Sequence, residues 1–265
     1  HPLMLSWLDD GARGVVDMLS KEQRDHVLAL FEEFVPLGFA YADKHAKEHV
    51  PTVEMQRVVS LMSLFTSLLP EAKVDKEAPL QEVAQKLSTI FFFCFVWSIG
   101  ATFEESAWPG FNDVVREKLA GRVQVPASGD VHDFYVSLPT CELANWKDVV
   151  PEFVYEPSMP YFNLLVPTTD TVRYAYVVRQ QLNMMTPVLL AGLTGVGKSV
   201  MLMNTVVKMQ EEEPWNYISL SFSAQTSSMR TQETIESKLE KRKKTLLGAQ
   251  PGKRVVMFVD DINMP

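Results

Sequence analysis

One short segment with a lysine and closely spaced glycines constrains this chain more than any other part of its sequence. It runs Gly192, Leu193, Thr194, Gly195, Val196, Gly197, Lys198 and Ser199, which is the pattern of a glycine, four residues and then Gly-Lys-Ser. Glycines at these positions let backbone N–H groups surround a phosphate where a Cβ atom would clash. The lysine meets the β- and γ-phosphates, and the serine hydroxyl is a ligand for Mg²⁺. The segment therefore predicts a binding site for ATP or ADP with Mg²⁺.

The residues on either side of this phosphate loop fit the same prediction. The apolar run Pro187 to Ala191 precedes it and predicts a strand, and a helical pattern follows from Lys198 to about Glu212. The helix would direct its N-terminus, the positive end of its dipole, at the bound phosphate. Val200, in the first turn of that helix, joins the predicted nucleotide-binding residues.

A second apolar run ends in two acids. Val255 to Val259 predicts a strand, and Asp260 and Asp261 follow it, with Asp260 62 residues after Lys198. Ligands bind at the carboxyl ends of strands in open α/β sheets. Asp260 would hold Mg²⁺ through water, and Asp261 would orient or deprotonate the attacking water. A strand that ends in two acids is common, so this assignment depends on the phosphate loop upstream.

The remaining pattern of the last third alternates between strand and helix. Tyr217 to Phe222 predicts a strand, and Thr231 to Leu247 predicts a charged amphipathic helix. Strands separated by helices of this length imply a parallel α/β sheet. The basic run Lys238 to Lys244 is interleaved with glutamates and lacks aromatic residues for base stacking, which indicates a solvated helix face.

The sequence of the first half of the chain predicts helices. Ser20 and Gln23 form a capping-box pattern, Pro36 should kink or end the helix that follows, and Pro70 should stop the next one. A third helix from about Leu80 to Phe103 is nearly all apolar beyond Ile90, so it should be buried on every side. Between residues 121 and 160 prolines and glycines separate short β-prone runs, and we place a domain boundary near residue 155.

The composition of the chain argues against some classes of binding partner. The net charge of −8 argues against a chain that as a whole binds nucleic acid or an anionic membrane. The longest apolar run, Ile90 to Trp97, is far shorter than the ~20 residues of a membrane helix, and the N-terminus shows no signal-peptide pattern. Two cysteines fit a reducing compartment.

A possible zinc site is a weaker signal. His45 to His49 matches an inverted zinc-protease pattern, but no third ligand is evident, so a solvated helix end is favoured.

Several segments resemble dynein heavy chains. Phe258-Val-Asp-Asp-Ile-Asn-Met-Pro265, together with the phosphate loop, is similar to the third AAA+ module of the dynein motor ring. Leu165 to Tyr174 is similar to the segment that enters that module. Phe95 to Thr102, with the region of Trp7, resembles the end of the second module. The closing segment looks more like axonemal than cytoplasmic dyneins.

The resemblance implies both a fold and a role. Residues 1–155 would be the small, mainly helical subdomain of the second module, with a short β-rich segment, and residues 156–265 the N-terminal half of the α/β P-loop large subdomain of the third. The site would be a regulatory nucleotide site in a ring that drives minus-end-directed microtubule movement. Partners would be adjacent modules, microtubules and other dynein subunits, in the cytoskeleton of the cytoplasm or of an axoneme. The adenine pocket would include Val166 and Pro167.

Two departures from the family pattern affect the expected activity. AAA+ proteins end the second strand in Asp-Glu, whereas Asp261 here is one methylene shorter than Glu. A misplacement of about 1 Å can cost on the order of 10²-fold in rate, so we expect binding to persist and hydrolysis to be impaired. The sequence also stops at Pro265, before the sensor residues and before a strand that lies between the two motif strands in AAA+ proteins. We therefore expect ATPase activity in the parent protein and little in this chain alone.

Two other hypotheses remain open. The site could hold a nucleotide structurally and never hydrolyse it, which predicts bound ADP that exchanges slowly. The chain could also come from another AAA+ or P-loop ATPase, without the tandem modules of a dynein.

Overall fold

The computed structural model describes residues 2–10, 14–155 and 165–263, which form two compact units. The helical unit contains the described residues up to Phe153 and those from Pro167 to Gly192. The phosphate-loop unit contains those from Val154 to Val166 and from Leu193 onward. Residues 167–192 thus pack with the helices that precede them. The domain division at residue 155, which concerns family modules, stays a prediction.

The helical unit is built from six described helices. They are α1 (Pro2–Asp9), α2 (Lys21–His45), α3 (Glu54–Ala72), α4 (Leu80–Ser98), α5 (Trp108–Leu119) and α6 (Thr169–Asn183). The predicted capping box is present at α2, where Ser20 Oγ accepts from the Gln23 N–H and Gln23 Oε1 accepts from the Ser20 N–H. The Gln23 side chain also donates to carbonyl oxygens of the α3–α4 connection, so this cap ties α2 to its neighbours.

Two prolines that were predicted to interrupt helices lie inside them. The helix α2 does not end at Pro36 but continues to His45, and α3 passes Pro70 and ends at Ala72. A proline removes one helical hydrogen bond and crowds the preceding turn. Residues on both sides of Pro36 are buried, among them Phe34 and Tyr41, so packing outweighs that local cost.

The centre of the helical unit is α4, as predicted. Every residue from Ile90 to Trp97 is buried, and α2 and α3 pack on this helix. The helix ends at Ser98, earlier than predicted, and a 3-10 turn follows over Gly100–Thr102. The span Leu80–Thr102 is long and apolar enough to cross a membrane by length and composition, but 83% of its most apolar window is buried inside the protein. Its apolar side chains are therefore covered by the other helices.

A small antiparallel hairpin completes this unit. It consists of β1 (Phe134–Ser137) and β2 (Glu142–Asn145), and both strands contact α4. The helix α6 packs on α3 and on the 3-10 turn Trp146–Val149. Gln181 anchors α6 to α3 by donating to the carbonyl oxygen and the hydroxyl of Ser60, each at 2.9 Å.

The phosphate-loop unit is an α/β structure. Its elements are α7 (Lys198–Glu212), β3 (Trp215–Ser221), α8 (Ser228–Lys238), β4 (Glu240–Lys243), β5 (Leu246–Gly248) and β6 (Arg254–Asp260). The strands β3 and β6 pair in parallel, from Trp215 opposite Arg254 to Ser221 opposite Asp260, and α7 packs on both. The predicted parallel sheet is confirmed.

Two predictions for the last third of the chain are wrong. The helix predicted to reach Leu247 ends at Lys238, and the basic run continues into an antiparallel hairpin of β4 and β5. No residue of α8 is buried, so packing does not extend this helix, whereas a hairpin satisfies its own backbone. The predicted strand Pro187 to Ala191 is also not formed in the described structure. A strand needs a hydrogen-bonded neighbour, and within the described residues β6 pairs with β3 alone.

Candidate nucleotide-binding site

The backbone of the phosphate loop has the conformation that its glycines allow. Gly195 and Gly197 have φ angles of +84° and +83°, in the left-handed region that side chains disfavour. A Cβ atom at either position would meet nothing within 4 Å. The glycines are therefore required by the backbone turn, and the space beside them stays open for a ligand. The side chains of Leu193 and Val196 are exposed.

The loop leads directly into α7. Gly197 is the N-cap, so Lys198, Ser199 and Val200 are the first three residues of the helix. The N–H groups of a first helical turn have no helical acceptors, and they carry the positive end of the helix dipole. The helix is held in place because Met201, Val206 and Met209 on one face are buried. The sequence thus places a helix N-terminus, whose first N–H groups suit an anion, beside the glycine turn.

The side chain of Lys198 folds back on the loop. Its Nζ donates to the carbonyl oxygen of Leu193 at 2.6 Å. This contact spans the loop and places the ammonium beside the backbone that would surround a phosphate. Lys198 is therefore positioned to exchange a neutral carbonyl for a charged phosphate oxygen.

The two predicted magnesium residues meet each other. Ser199 Oγ donates to Asp260 Oδ1 at 2.7 Å, although the residues are 61 apart in sequence. Asp260 is the last residue of β6, and α7 packs on that strand, so this packing brings the two residues together. A hydroxyl and a carboxylate are the hard oxygen ligands that Mg²⁺ prefers. The donor set fits the ion that the sequence predicts.

Asp261 lies at the turn after β6. It has a φ of +54°, is exposed, and its N–H donates to Asp260 Oδ1 at 3.2 Å. Aspartate is one of the few non-glycine residues that tolerate this left-handed conformation. The backbone of Asp261 therefore lies next to the Ser199–Asp260 pair, and the catalytic role of its carboxylate stays a prediction.

Val166 and Pro167 precede α6 in the sequence. Val166 is 55% exposed, and Pro167 stands directly before Thr168, whose hydroxyl caps the helix by accepting from the Thr171 N–H. Their predicted role at an adenine pocket stays a prediction.

The inverted zinc-protease pattern does not form a metal site in the described structure. The helix α2 ends at His45, so His49 does not share a helix face with it. Glu48 instead forms a buried ion pair with Arg57 and accepts from the Thr52 N–H at 2.8 Å. Within the described residues there is no cluster of three or more histidine, cysteine, aspartate or glutamate side chains that could hold a metal.

One structural centre was missed by the sequence reasoning. Arg173 of α6 is buried, and its guanidinium lies 5.0 Å from the ring centroid of Trp108 and 5.8 Å from that of Trp97. His132 stacks on Trp108 with a centroid separation of 4.0 Å. This aromatic cluster holds α6, the helix that leads towards the phosphate loop, on the helical unit. The only local sign of this cluster in the sequence was the spacing of Asp170 and Arg173, which form an i,i+3 ion pair.

A glycine turn that opens a helix, beside a parallel strand ending in aspartate, defines a P-loop nucleotide-binding protein. Two family models agree with this class and extend it. "P-loop containing dynein motor region" matches residues 153–265, and "Dynein heavy chain AAA lid domain" matches residues 27–148. The chain belongs to the dynein heavy chain family, with an AAA+ lid followed by part of an AAA+ P-loop module.

Three similar curated proteins are axonemal or flagellar dyneins. Human dynein axonemal heavy chain 6 is 38% identical over 271 residues, and mouse dynein axonemal heavy chain 2 is 29% identical over 265 residues; both alignments cover 100% of this chain. The dynein-1-beta heavy chain of the flagellar inner arm I1 complex from Chlamydomonas reinhardtii is 28% identical over 298 residues, again across 100% of this chain. The chain spans about 6% of the length of each relative.

Proposed function

We propose that this chain provides a regulatory Mg–ATP or Mg–ADP site in the third AAA+ module of an axonemal dynein motor ring. The contact between Ser199 and Asp260 carries the proposal, because it joins the phosphate loop to the acidic strand end. Backbone N–H groups of the loop and of the first turn of α7 would bind the phosphates. Lys198 would neutralise their charge, and Ser199 with Asp260 would hold Mg²⁺, which supplies charge neutralisation.

The parent protein would be an ATPase that moves towards microtubule minus ends, located in the cytoskeleton of a cilium or flagellum. Its partners would be the neighbouring AAA+ modules of the same chain, microtubules and other dynein subunits. The axonemal and flagellar names of the relatives support this assignment. Nucleotide state at this site would alter the packing of adjacent modules and so regulate movement.

A second candidate is a site that holds nucleotide without hydrolysing it. Asp261 favours this role, because its side chain is shorter than the glutamate of other AAA+ proteins and would reach less far towards an attacking water. Under this hypothesis ADP exchanges slowly and no phosphate is released, even in the intact ring.

The test uses the intact motor region of the parent heavy chain with its other nucleotide sites disabled. Nucleotide affinity is measured for the wild type, for Lys198→Ala and for the control Lys208→Ala, an exposed lysine on the same helix. We expect Lys198→Ala to weaken binding at least tenfold and Lys208→Ala to leave it unchanged. Equal affinities in all three proteins would refute a nucleotide site at this loop.

Single-turnover hydrolysis then separates the two candidates. If Asp261 is a functional base, Asp261→Asn slows phosphate release while ADP affinity is kept. If the wild type already releases no phosphate, the site holds nucleotide and does not hydrolyse it.

A further inference from the structure

The hairpin that replaced the predicted helix is a strongly basic surface on an acidic protein. This basic hairpin comprises β4 (Glu240–Lys243), the turn Lys244–Thr245 and β5 (Leu246–Gly248). It carries four cations and one acid, whereas the whole chain has a net charge of −8. Its positive potential therefore contrasts with the rest of the chain.

A bulge concentrates the charge on one face. Lys241 lies opposite Leu247 and Lys243 lies opposite Leu246, so Arg242 is the extra residue. In such a bulge two consecutive side chains share a face with the residue opposite. Arg242 and Lys243 therefore lie on the same face as Leu246. Gly248 makes room for this arrangement, because a Cβ atom there would lie 3.3 Å from Arg242 Cγ.

The hairpin is exposed on both faces. All four residues of β4 are exposed, and Leu246 and Leu247 are 52% and 39% exposed. In the described part of the chain β4 pairs with β5 alone, so its other edge has backbone groups available for a further strand. Within the phosphate-loop unit, basic side chains and an apolar contact thus lie beside an open strand edge.

We propose that the basic hairpin docks an acidic, extended protein segment, which adds as a strand along the free edge of β4. Main-chain hydrogen bonds supply affinity in this binding mode, and side chains select the partner. Lysines on an edge strand prevent pairing with a copy of the same strand, because like charges would lie opposite each other. Glutamate or aspartate in those positions reverses the sign, and Leu246 offers an apolar contact. The charges thus disfavour pairing with a second basic hairpin and favour pairing with an acidic strand.

A protein segment is favoured over a nucleic acid by the composition of the hairpin. No residue from Glu240 to Gly248 is aromatic, and single-stranded nucleic acids are usually held by bases stacked on aromatic side chains. A free strand edge presents both N–H donors and carbonyl acceptors, which match another strand, whereas phosphate oxygens can use only the donors.

The experiment measures binding of a defined probe to the intact motor region of the parent heavy chain. The probe is a fluorescent peptide of about ten residues in which glutamate alternates with valine, long enough for an ordinary strand. A peptide with lysine in place of glutamate and a single-stranded oligonucleotide serve as comparison probes. The hairpin variant carries Lys241→Glu, Arg242→Glu and Lys243→Glu. The control variant carries the same charge change at three exposed lysines elsewhere, as Lys118→Glu, Lys147→Glu and Lys208→Glu.

We expect the glutamate peptide to bind the wild type and the control variant, and to bind the hairpin variant at least about tenfold more weakly. The lysine peptide should not bind, and affinity for the glutamate peptide should fall as salt is raised. Equal binding to the two variants, or no binding to the wild type, would overturn the proposal. Hairpin-dependent binding of the oligonucleotide in place of the peptide would also overturn it, and would identify a nucleic-acid surface.

A second probe tests strand addition separately from charge. A glutamate peptide that is N-methylated at alternate residues keeps its charges but loses half of its backbone donors. Strand addition predicts that methylation on one register abolishes binding while methylation on the other register does not. Equal binding of both methylated peptides would overturn strand addition. Unchanged nucleotide affinity in the hairpin variant checks that the variant is folded, since its three residues lie outside the phosphate loop.

Discussion

Replacing Arg173 should destabilise the helical unit far more than replacing a comparable exposed arginine. The Arg173 side chain is 7% exposed, and its guanidinium lies 5.0 Å from the centroid of Trp108, 5.2 Å from that of Tyr174 and 5.8 Å from that of Trp97. Its partner in the ion pair, Asp170, is 61% exposed, so that pair contributes under ~1 kcal/mol.

The expected magnitude follows from these contacts. A desolvated cation over an aromatic ring contributes about 2 kcal/mol, and burial of the methylene stem contributes about 0.8 kcal/mol for each group. The cost of burying the guanidinium offsets part of this sum. We expect Arg173→Ala to lower the free energy of unfolding by about 3 kcal/mol. Arg173→Lys should recover less than half of the loss, because an ammonium lacks the planar surface that stacks on the rings.

Arg122 provides the matched control. It lies 5.8 Å from the ring centroid of Phe34 and pairs with Glu33, but it is 47% exposed. We expect Arg122→Ala to cost under about 1 kcal/mol.

The assay is urea unfolding of the chain followed by tryptophan fluorescence. Four of the five tryptophans, namely Trp7, Trp97, Trp108 and Trp146, lie in the helical unit, so this signal reports mainly on that unit. If Arg173→Ala and Arg122→Ala shift the unfolding midpoint equally, the buried cluster has no special contribution and the reasoning is refuted.

Three further predictions concern the phosphate loop, a buried ion pair and a buried histidine. Gly197→Ala should weaken ADP binding by about tenfold in a titration, since alanine at φ +83° costs about 1–2 kcal/mol. The control is Gly252→Ala, which has a similar φ of +75° outside the phosphate loop and should leave ADP affinity unchanged. Equal losses in both variants would contradict the explanation from the backbone of the loop. Arg57→Ala should lower the free energy of unfolding in urea by about 3 kcal/mol, because it leaves Glu48 without its buried partner. Arg24→Ala, which loses the exposed ion-pair partner Asp9 and a hydrogen bond to the Leu8 carbonyl oxygen, should cost only about 1 kcal/mol. Burial lowers the pKa of His132, against the opposing effect of Asp130. The unfolded chain therefore takes up a proton more readily, and stability present above the ordinary histidine pKa of about 6.5 is lost as pH falls below it. His132→Phe should reduce the loss of stability between about pH 7 and 5, measured by urea unfolding at each pH. If the free energy of unfolding depends on pH as steeply in this variant as in the wild type, His132 does not titrate in this way. Some pH dependence should remain in the variant, because the pKa of His26 is lowered as well.

The predictions from sequence were most accurate where local chemistry decides the conformation. The phosphate loop and the helix α7 follow from glycines that permit positive φ and from a helical pattern that begins at Lys198. The capping box of Ser20 and Gln23 needs contacts across three residues only. The strands β3 and β6 and the apolar helix α4 carry patterns strong enough to be recognised without their neighbours.

Other features depend on residues that are distant in sequence, and only the tertiary structure decided them. Pro187 to Ala191 has the composition of a strand, but a strand requires a partner, and the described structure provides none. The basic run has helical spacing of charges, but no buried face holds it as a helix, and it pairs with Leu246–Gly248 instead. The Ser199–Asp260 contact was predicted only as two ligands of one ion, and its 2.7 Å hydrogen bond depends on how α7 packs on β6. Dihedral preferences belong to single residues and can be read from the sequence, whereas strand pairing and burial are properties of the contacts between segments.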